Sequence, residues 1–292
     1  MSSFPNIGGL DDEYPHYPVA TSHYDYPELA EIYNQARTDY IVPMPMNARK
    51  MQEYVEHYDI DLNRSAVAID IDDEEPNGIC MLGVRGDRTW ITRLGVIPVR
   101  RRRKAGEFLM RVLLEESRKM NARLVQLEVI KGNEPAYRLF RKLGFEETRE
   151  LLVIRRPPGA LDPDTLPEMT VTALSPEEIY NCLDEREPGA AWTEETLSLT
   201  NMDSLKGMRV ELPDGEEGWV VFHYSPFQLG HFVLSPGKSD DMLYALICAV
   251  HDAYPLHDTK IENLAADHPT WPQFQRSGYM EAFRRIEMFL YF

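Results

Sequence analysis

The sequence predicts an α/β or α+β fold, a sheet with helices packed on it, built twice along one chain. Segments of strand character alternate with segments of helical periodicity, late in each half above all. The order of segments in the first half returns in the second. A proline- and glycine-rich break at residues 155–169 separates the two.

In the first half, residues 27–40 and 47–58 have helical spacing, with Leu29, Ile32 and Tyr33 on one face of the first. Residues 65–70 read as a strand and 72–77 as an acidic turn. Residues 78–84 and 89–97 form a hairpin around Gly86-Asp87, a pair suited to φ > 0. A helix is expected over 104–120, with Phe108, Leu109, Val112, Leu113 and Met120 inward. A buried strand over 124–130, a helix over 134–143 and a strand over 145–154 follow. The second half gives a helix at 176–184, strands at 207–211, 218–223 and 228–234, and a helix at 240–253. It ends with a strand at 260–264, a short helix at 271–276 and a strand at 282–290. At one common offset Glu128 falls on Glu262, Asn133 on Asp267, Pro135 on Pro269, Phe140 on Phe274 and Gly144 on Gly278, which points to an internal duplication.

Composition bounds the function. The chain has 292 residues, 43% of them apolar, so it can build real cores. A formal charge of −17 argues against general binding to nucleic acid or anionic membrane, which needs a cationic face. No apolar stretch is long enough to span a bilayer. Residues 1–16 read as a flexible polar tail, not a signal peptide. The three cysteines, Cys80, Cys182 and Cys248, are far apart, form no metal-ligand pair and suggest a reducing, cytoplasmic setting.

The stretch 94–110 (LGVIPVRRRRKAGEFLM) carries the chemistry. A strand ends at Pro98, a basic loop follows, and a helix opens near Gly106. Helix-terminal N–H groups and the helix dipole favour an anion there, Gly106 lets it approach the backbone, and arginines add charge-assisted bonds. The alternatives are a nucleic-acid patch or a solvated basic face. Val96, Pro98, Arg101 and Gly106 resemble the acetyl-CoA motif V-x-P-x-x-R/Q-x-x-G-x-G/A of the GNAT superfamily, with Lys104 where the first glycine usually sits. Asn133, Ala136, Leu139, Phe140, Gly144 and Phe145 resemble that family's second signature.

This resemblance, over about 17–156, implies the acyl-CoA N-acyltransferase fold: a mixed, mostly antiparallel central sheet flanked by helices, in two tandem copies. The domains are then 17–156, a linker at 157–168 and a degenerate GNAT-like domain at 169–292. It implies acetyl-CoA as co-substrate, no metal, and a splayed strand pair that opens a cleft. Val96 and Ile97 would pair with the pantetheine, a backbone N–H near Leu94–Val96 would polarise the thioester, and Arg101, Arg102, Arg103, Lys104, Ala105 and Gly106 would hold the pyrophosphate. Asn133 would bond the pantetheine, with Phe140 beside it. Glu128, in an otherwise apolar strand, is the candidate general base, or else only orients a neighbour. The family's acidic tyrosine is replaced by Phe140, leaving Tyr137 as the candidate acid. Arg93 is a candidate for binding substrate, or for pairing with a surface carboxylate. The acidic run Asp70–Glu75 is expected to be a solvated hairpin tip, and Trp192, Trp219, Tyr224 and Trp271 to be core packing more than pocket wall.

The activity expected is acetyl (acyl) transfer to a primary amine of a small molecule or peptide, by a monomer or homodimer without nucleic-acid or membrane partners. The competing expectations are acyl-CoA binding without turnover, and more distantly nucleic-acid binding. The second half replaces the basic loop with Ser235-Pro236-Gly237-Lys238-Ser239-Asp240-Asp241, whose aspartates disfavour CoA there.

Overall fold

A computed structural model describes residues 14–101 and 103–292; most of the expected tail and Arg102 lie outside the described residues. The chain divides into two compact units, one of residues 1–148 with 287–292, the other of residues 149–286.

In unit 1 the first strand, β1, covers His16–Ala20, inside the segment read from sequence as the end of the tail and the start of the domain. Its residues alternate buried and half-buried, and among the described residues it pairs with one neighbour, β2 (Ala66–Asp70). That edge position tolerates Pro18, which has no N–H to give a second neighbour. Helix α1 (Tyr26–Ala36) starts at Asp25 with a reciprocal capping box to Glu28, and α2 (Ala48–His57) starts at Asn47, whose side chain accepts from the Lys50 N–H. Strands β3 (Pro76–Arg85) and β4 (Arg88–Val96) form the expected hairpin, with Gly86 at φ 57° in the turn.

Helix α3 (Ala105–Lys119) leads to β5 (Leu124–Ile130), then α4 (Glu134–Lys142) and β6 (Glu146–Arg156). The unit's strands run in the order β1-β2-β3-β4-β5, antiparallel except for β4 and β5. Thr89 of β4 meets Ser117 of α3 at 2.9 Å, whereas Thr92 meets Tyr54 of α2 at 2.7 Å. Odd and even residues of a strand face opposite ways, so α3 and α2 cover opposite faces of β4. The last residues of the chain belong here too: Phe292 N–H donates to the Arg123 carbonyl at 3.2 Å, and the Thr148 hydroxyl donates to Glu287 at 2.9 Å.

Unit 2 holds β7 (Thr170–Ala173), α5 (Pro176–Asp184), a short α6 (Thr196–Thr200), β8 (Leu205–Glu211), β9 (Glu217–Tyr224), β10 (Gln228–Leu234), α7 (Asp240–Ala253), β11 (Asp258–Ala265), α8 (Trp271–Arg276) and the start of β12 (Met280–Tyr291). The division between units falls inside β6 and β12. The sheet order is β6-β11-β10-β9-β8-β7, and its one parallel pair is β10 with β11. Val220, Phe222, Leu246, Ile247 and Phe274 centre its core. Trp192 and Trp219 are buried and Tyr224 and Trp271 pack on the core, as the packing reading expects. All three cysteines are buried.

Candidate active site

Two local irregularities open a cleft in unit 1. The β4–β5 ladder consists of three parallel rungs, Arg88 to Trp90 against Leu124 to Gln126. Among the described residues no rung follows, so the far ends of both strands keep backbone groups without a sheet partner across the gap. On its other side β4 carries a bulge. Ile79 pairs with Gly95 but Met81 with Thr92, and Arg93 takes up the extra length at φ 55°. Gly95 lets α1 close on this strand, because a Cβ there would sit 2.9 Å from the Ala36 side chain.

Beyond β4, Pro98–Arg100 make one tight turn and the chain enters α3. Lys104 is the N-cap, held left-handed at φ 62°. A residue with a Cβ does this at a cost of about 1 kcal/mol, so lysine reproduces the backbone shape that glycine would adopt freely. Among the described residues no side chain caps α3. The first N–H to close an intrahelical bond is that of Phe108, onto the Lys104 carbonyl. Ala105, Gly106 and Glu107 therefore present the orphan donors of a helix start. A Cβ on Gly106 would meet only ordinary contacts, Val96 at 3.5 Å and Leu139 at 3.8 Å. Packing within the chain does not require glycine there.

The arginines are placed by carboxylates. Arg100 bonds Asp73 and Asn77, Arg101 makes a two-pronged pair with Asp39 at 2.6 Å, and Arg103 binds Asp70 and Asp72. The acidic run is a solvated hairpin tip over residues 71–75, as expected, but Asp70 is fully buried, a correction to that reading, and Asp70, Asp72 and Asp73 are the counter-ions of the basic loop. Burial would raise the Asp70 carboxyl's pKa, but the Asn77 amide, a backbone N–H and Arg103 together hold it below the usual value.

His16, which the sequence did not single out, fixes the same loop. Its Nε2 lies 2.7 Å from the Arg103 carbonyl and its Nδ1 receives the Asn77 amide at 3.0 Å. A carbonyl only accepts and this amide nitrogen only donates, so the ring is neutral with its proton on Nε2. Burial lowers its pKa accordingly. Leu94, Val96 and Ile97 end β4 beside this loop: the Leu94 carbonyl accepts from Arg37 at 3.4 Å, the Val96 carbonyl from Arg101 at 3.3 Å, and Ile97 N–H donates to Asn77 at 2.9 Å.

On the α2 face of the split strands lies a polar group ringed by aromatics. Glu128, half-buried on β5, accepts from Trp90 Nε1 at 2.7 Å. Trp90 packs against Tyr54 and Tyr58. The Arg93 guanidinium lies 4.1 Å from the centre of the Tyr54 ring and donates to the Tyr33 hydroxyl at 3.0 Å. Burial pushes the Tyr54 hydroxyl up to about 12, so it stays protonated. Glu128, Arg93, Trp90 and Tyr54 thus share one patch.

The α4 candidates stand differently. Asn133 caps its helix by accepting from Ala136 N–H, and its amide reaches the Tyr40 hydroxyl, each at 3.5 Å. Tyr137 donates its hydroxyl to Glu147, which raises its pKa. Phe140 is buried edge-on to Phe145, ring centres 6.1 Å apart.

The corresponding helix start in unit 2 is closed. Ser239 caps α7 by accepting from Met242 N–H, and the Glu216 carboxylate takes both the Ser239 N–H at 3.0 Å and its hydroxyl at 2.5 Å. Among the described residues, no group of His, Cys, Asp or Glu is arranged to hold a metal ion, and no helix is long and apolar enough to cross a membrane.

Residues 27–145 match the family model described as Acetyltransferase (GNAT) family. No curated protein matches the chain. Among solved structures it is similar to a GCN5-related N-acetyltransferase from Sphaerobacter thermophilus, at 17% identity and TM-score 0.73, covering 95% of this chain and 96% of that one. It is also similar to a tandem GNAT protein from the clavulanic acid biosynthesis pathway, at 14% identity and TM-score 0.66, covering 94% and 98%. A third is a GCN5-related N-acetyltransferase from Kribbella flavida, at 16% identity and TM-score 0.57, covering 94% and 70%. At these identities the likeness establishes the acyltransferase fold along nearly the whole chain.

Proposed function

We propose, on the match of residues 27–145 to the GNAT acetyltransferase family model, that unit 1 transfers an acetyl group from acetyl-CoA to a primary amine of a small molecule or peptide. The observation that carries this reading is the uncapped start of α3, with bare Gly106, at the end of a strand that has parted from its neighbour. The orphan N–H groups of Ala105, Gly106 and Glu107 suit a pyrophosphate, and Arg101, exposed on Asp39, is placed to exchange that partner for phosphate. The unpaired edge of β4 suits the amide-bearing arm, which adds as a strand does. An N–H in Leu94–Val96 would polarise the thioester carbonyl.

The amine enters along the patch of Trp90, Tyr54 and Arg93. Its nitrogen attacks the carbonyl carbon, the C–S bond breaks, and the electron pair leaves on sulfur. Glu128, oriented by the Trp90 N–H, takes the amine proton directly or through water. The departing thiolate is protonated by water or by Tyr137 once Glu147 releases it. Replacing Glu128 by glutamine should lower kcat about 100-fold and leave acetyl-CoA affinity unchanged, read by thiol release with an amine panel and by calorimetry. An unchanged rate removes Glu128 from catalysis.

A second reading, acyl-CoA binding without turnover, draws on α4. Phe140 brings no hydroxyl, and the Tyr137 hydroxyl is held by Glu147. It expects saturable acetyl-CoA binding with no thiol release across the whole panel.

A further inference from the structure

Unit 2 contains a cavity of about 540 Å³, well within the range of small-molecule sites. It lies where β10 and β11 part after two parallel rungs, and Phe232, Leu234, Ile261, Leu264 and Phe274 give it apolar walls. CoA has no phosphate seat there, because Glu216 occupies the N-terminus of α7 and Asp240 and Asp241 follow it.

The polar lining is specific. β10 carries a bulge like that of β4, and the residue it throws out at φ 53° is His231. Its Nδ1 is 3.0 Å from one carboxylate oxygen of Glu194. The other oxygen, Glu194 Oε1, is buried and has no hydrogen-bond partner among the described residues. A buried acceptor left unmet costs on the order of 1–3 kcal/mol, so it calls for a donor from outside the chain. Glu262, also in the lining, makes no such demand: Arg285 holds it at 2.7 Å and Lys260 at 2.5 Å. The same cavity is faced by cations. Arg186 is fixed beside the acid by donating to the Glu194 carbonyl at 2.5 Å, Arg149 donates to the Gly189 carbonyl at 2.7 Å, and Lys238 stands in the loop before α7.

We propose that this cavity binds a small zwitterion of the amino-acid type. The ammonium is accepted by Glu194 Oε1, the carboxylate lies against the guanidinium groups of Arg186 and Arg149, and an apolar side chain rests on Phe232, Ile261 and Phe274. The assignment is independent of acyl transfer in unit 1.

The test is calorimetry on the full chain with three probes: L-phenylalanine, phenylacetate, which lacks the ammonium, and 2-phenylethylamine, which lacks the carboxylate. L-phenylalanine should bind at one equivalent and each half-probe at least about tenfold more weakly. Glu194→Gln should weaken L-phenylalanine by about tenfold or more while acetyl-CoA titrates as before. Ala190→Trp, which fills the cavity from its half-buried wall and leaves Glu194 intact, should abolish binding if the glutamine variant does not fold. The proposal is overturned if L-phenylalanine does not saturate at millimolar concentration, if either half-probe binds equally well, or if the folded variants bind undiminished.

Discussion

The starts of α3 and α7 have similar local surroundings in the two units, and they differ in who fills the helix terminus. Both follow a bulged strand that parts from a parallel neighbour. At α3 the N-cap is a left-handed lysine whose side chain does not cap the helix, and the arginines nearby are held back on Asp39, Asp70, Asp72 and Asp73. At α7 the chain supplies its own cap and its own anion, Ser239 and Glu216. A helix terminus favours negative charge wherever it comes from. Whether a helix start of this kind stays open to an outside anion therefore turns on one or two carboxylates.

Breaking the open terminus should have the largest effect. Gly106→Trp puts a bulky ring over the α3 N–H groups, and acetyl-CoA affinity should fall by more than about 100-fold, roughly 3 kcal/mol, with the fold intact by circular dichroism.

The second effect separates the units by their buried histidines. His16 of unit 1 holds the loop, whereas His251 of unit 2 is buried against Tyr279, 2.9 Å from its hydroxyl. Burial lowers the His251 pKa from 6.5 to about 3, with nearby Arg156 adding to it. The unfolded chain therefore binds a proton that the folded one refuses. This contribution to stability is complete above pH 6.5 and is lost as pH falls from there towards 3. Between pH 6.5 and 5 the loss should be about 2 kcal/mol. Urea unfolding should show it in the native chain and lose it in His251→Gln.

A smaller change sharpens the comparison from the other side. Glu216→Ala should lower stability by about 1 kcal/mol and still not create a second acetyl-CoA site, since Asp240 and Asp241 remain. A second equivalent of bound acetyl-CoA would show that Glu216 alone closes α7. Smallest of all, Lys104→Gly relieves a left-handed lysine. Set against the entropy glycine adds to the unfolded chain, a net gain of about 0.5 kcal/mol is expected, read from the urea midpoint.

Much of this contrast was legible in local sequence. The strand–proline–loop–helix order around Arg101, the two signatures and the aspartates after Ser239 are all contiguous patterns. What escaped was long-range. Asp70 reads locally as part of an acidic turn, and only the fold brings it to Arg103. His16 sits in a proline- and tyrosine-rich stretch whose strand character is visible only once β2 is beside it. β7, four exposed residues, is too short for any periodicity. The Glu128–Trp90 bond depends on the parallel register of β4 and β5, which no single segment encodes, while Glu216 reaches Ser239 across a loop.

The most direct measurement is the stoichiometry of acetyl-CoA binding to the full chain by calorimetry. One equivalent, abolished by Gly106→Trp, is the expected result. Two equivalents would contradict the closed terminus of α7, and no binding by a folded sample would contradict the open terminus of α3.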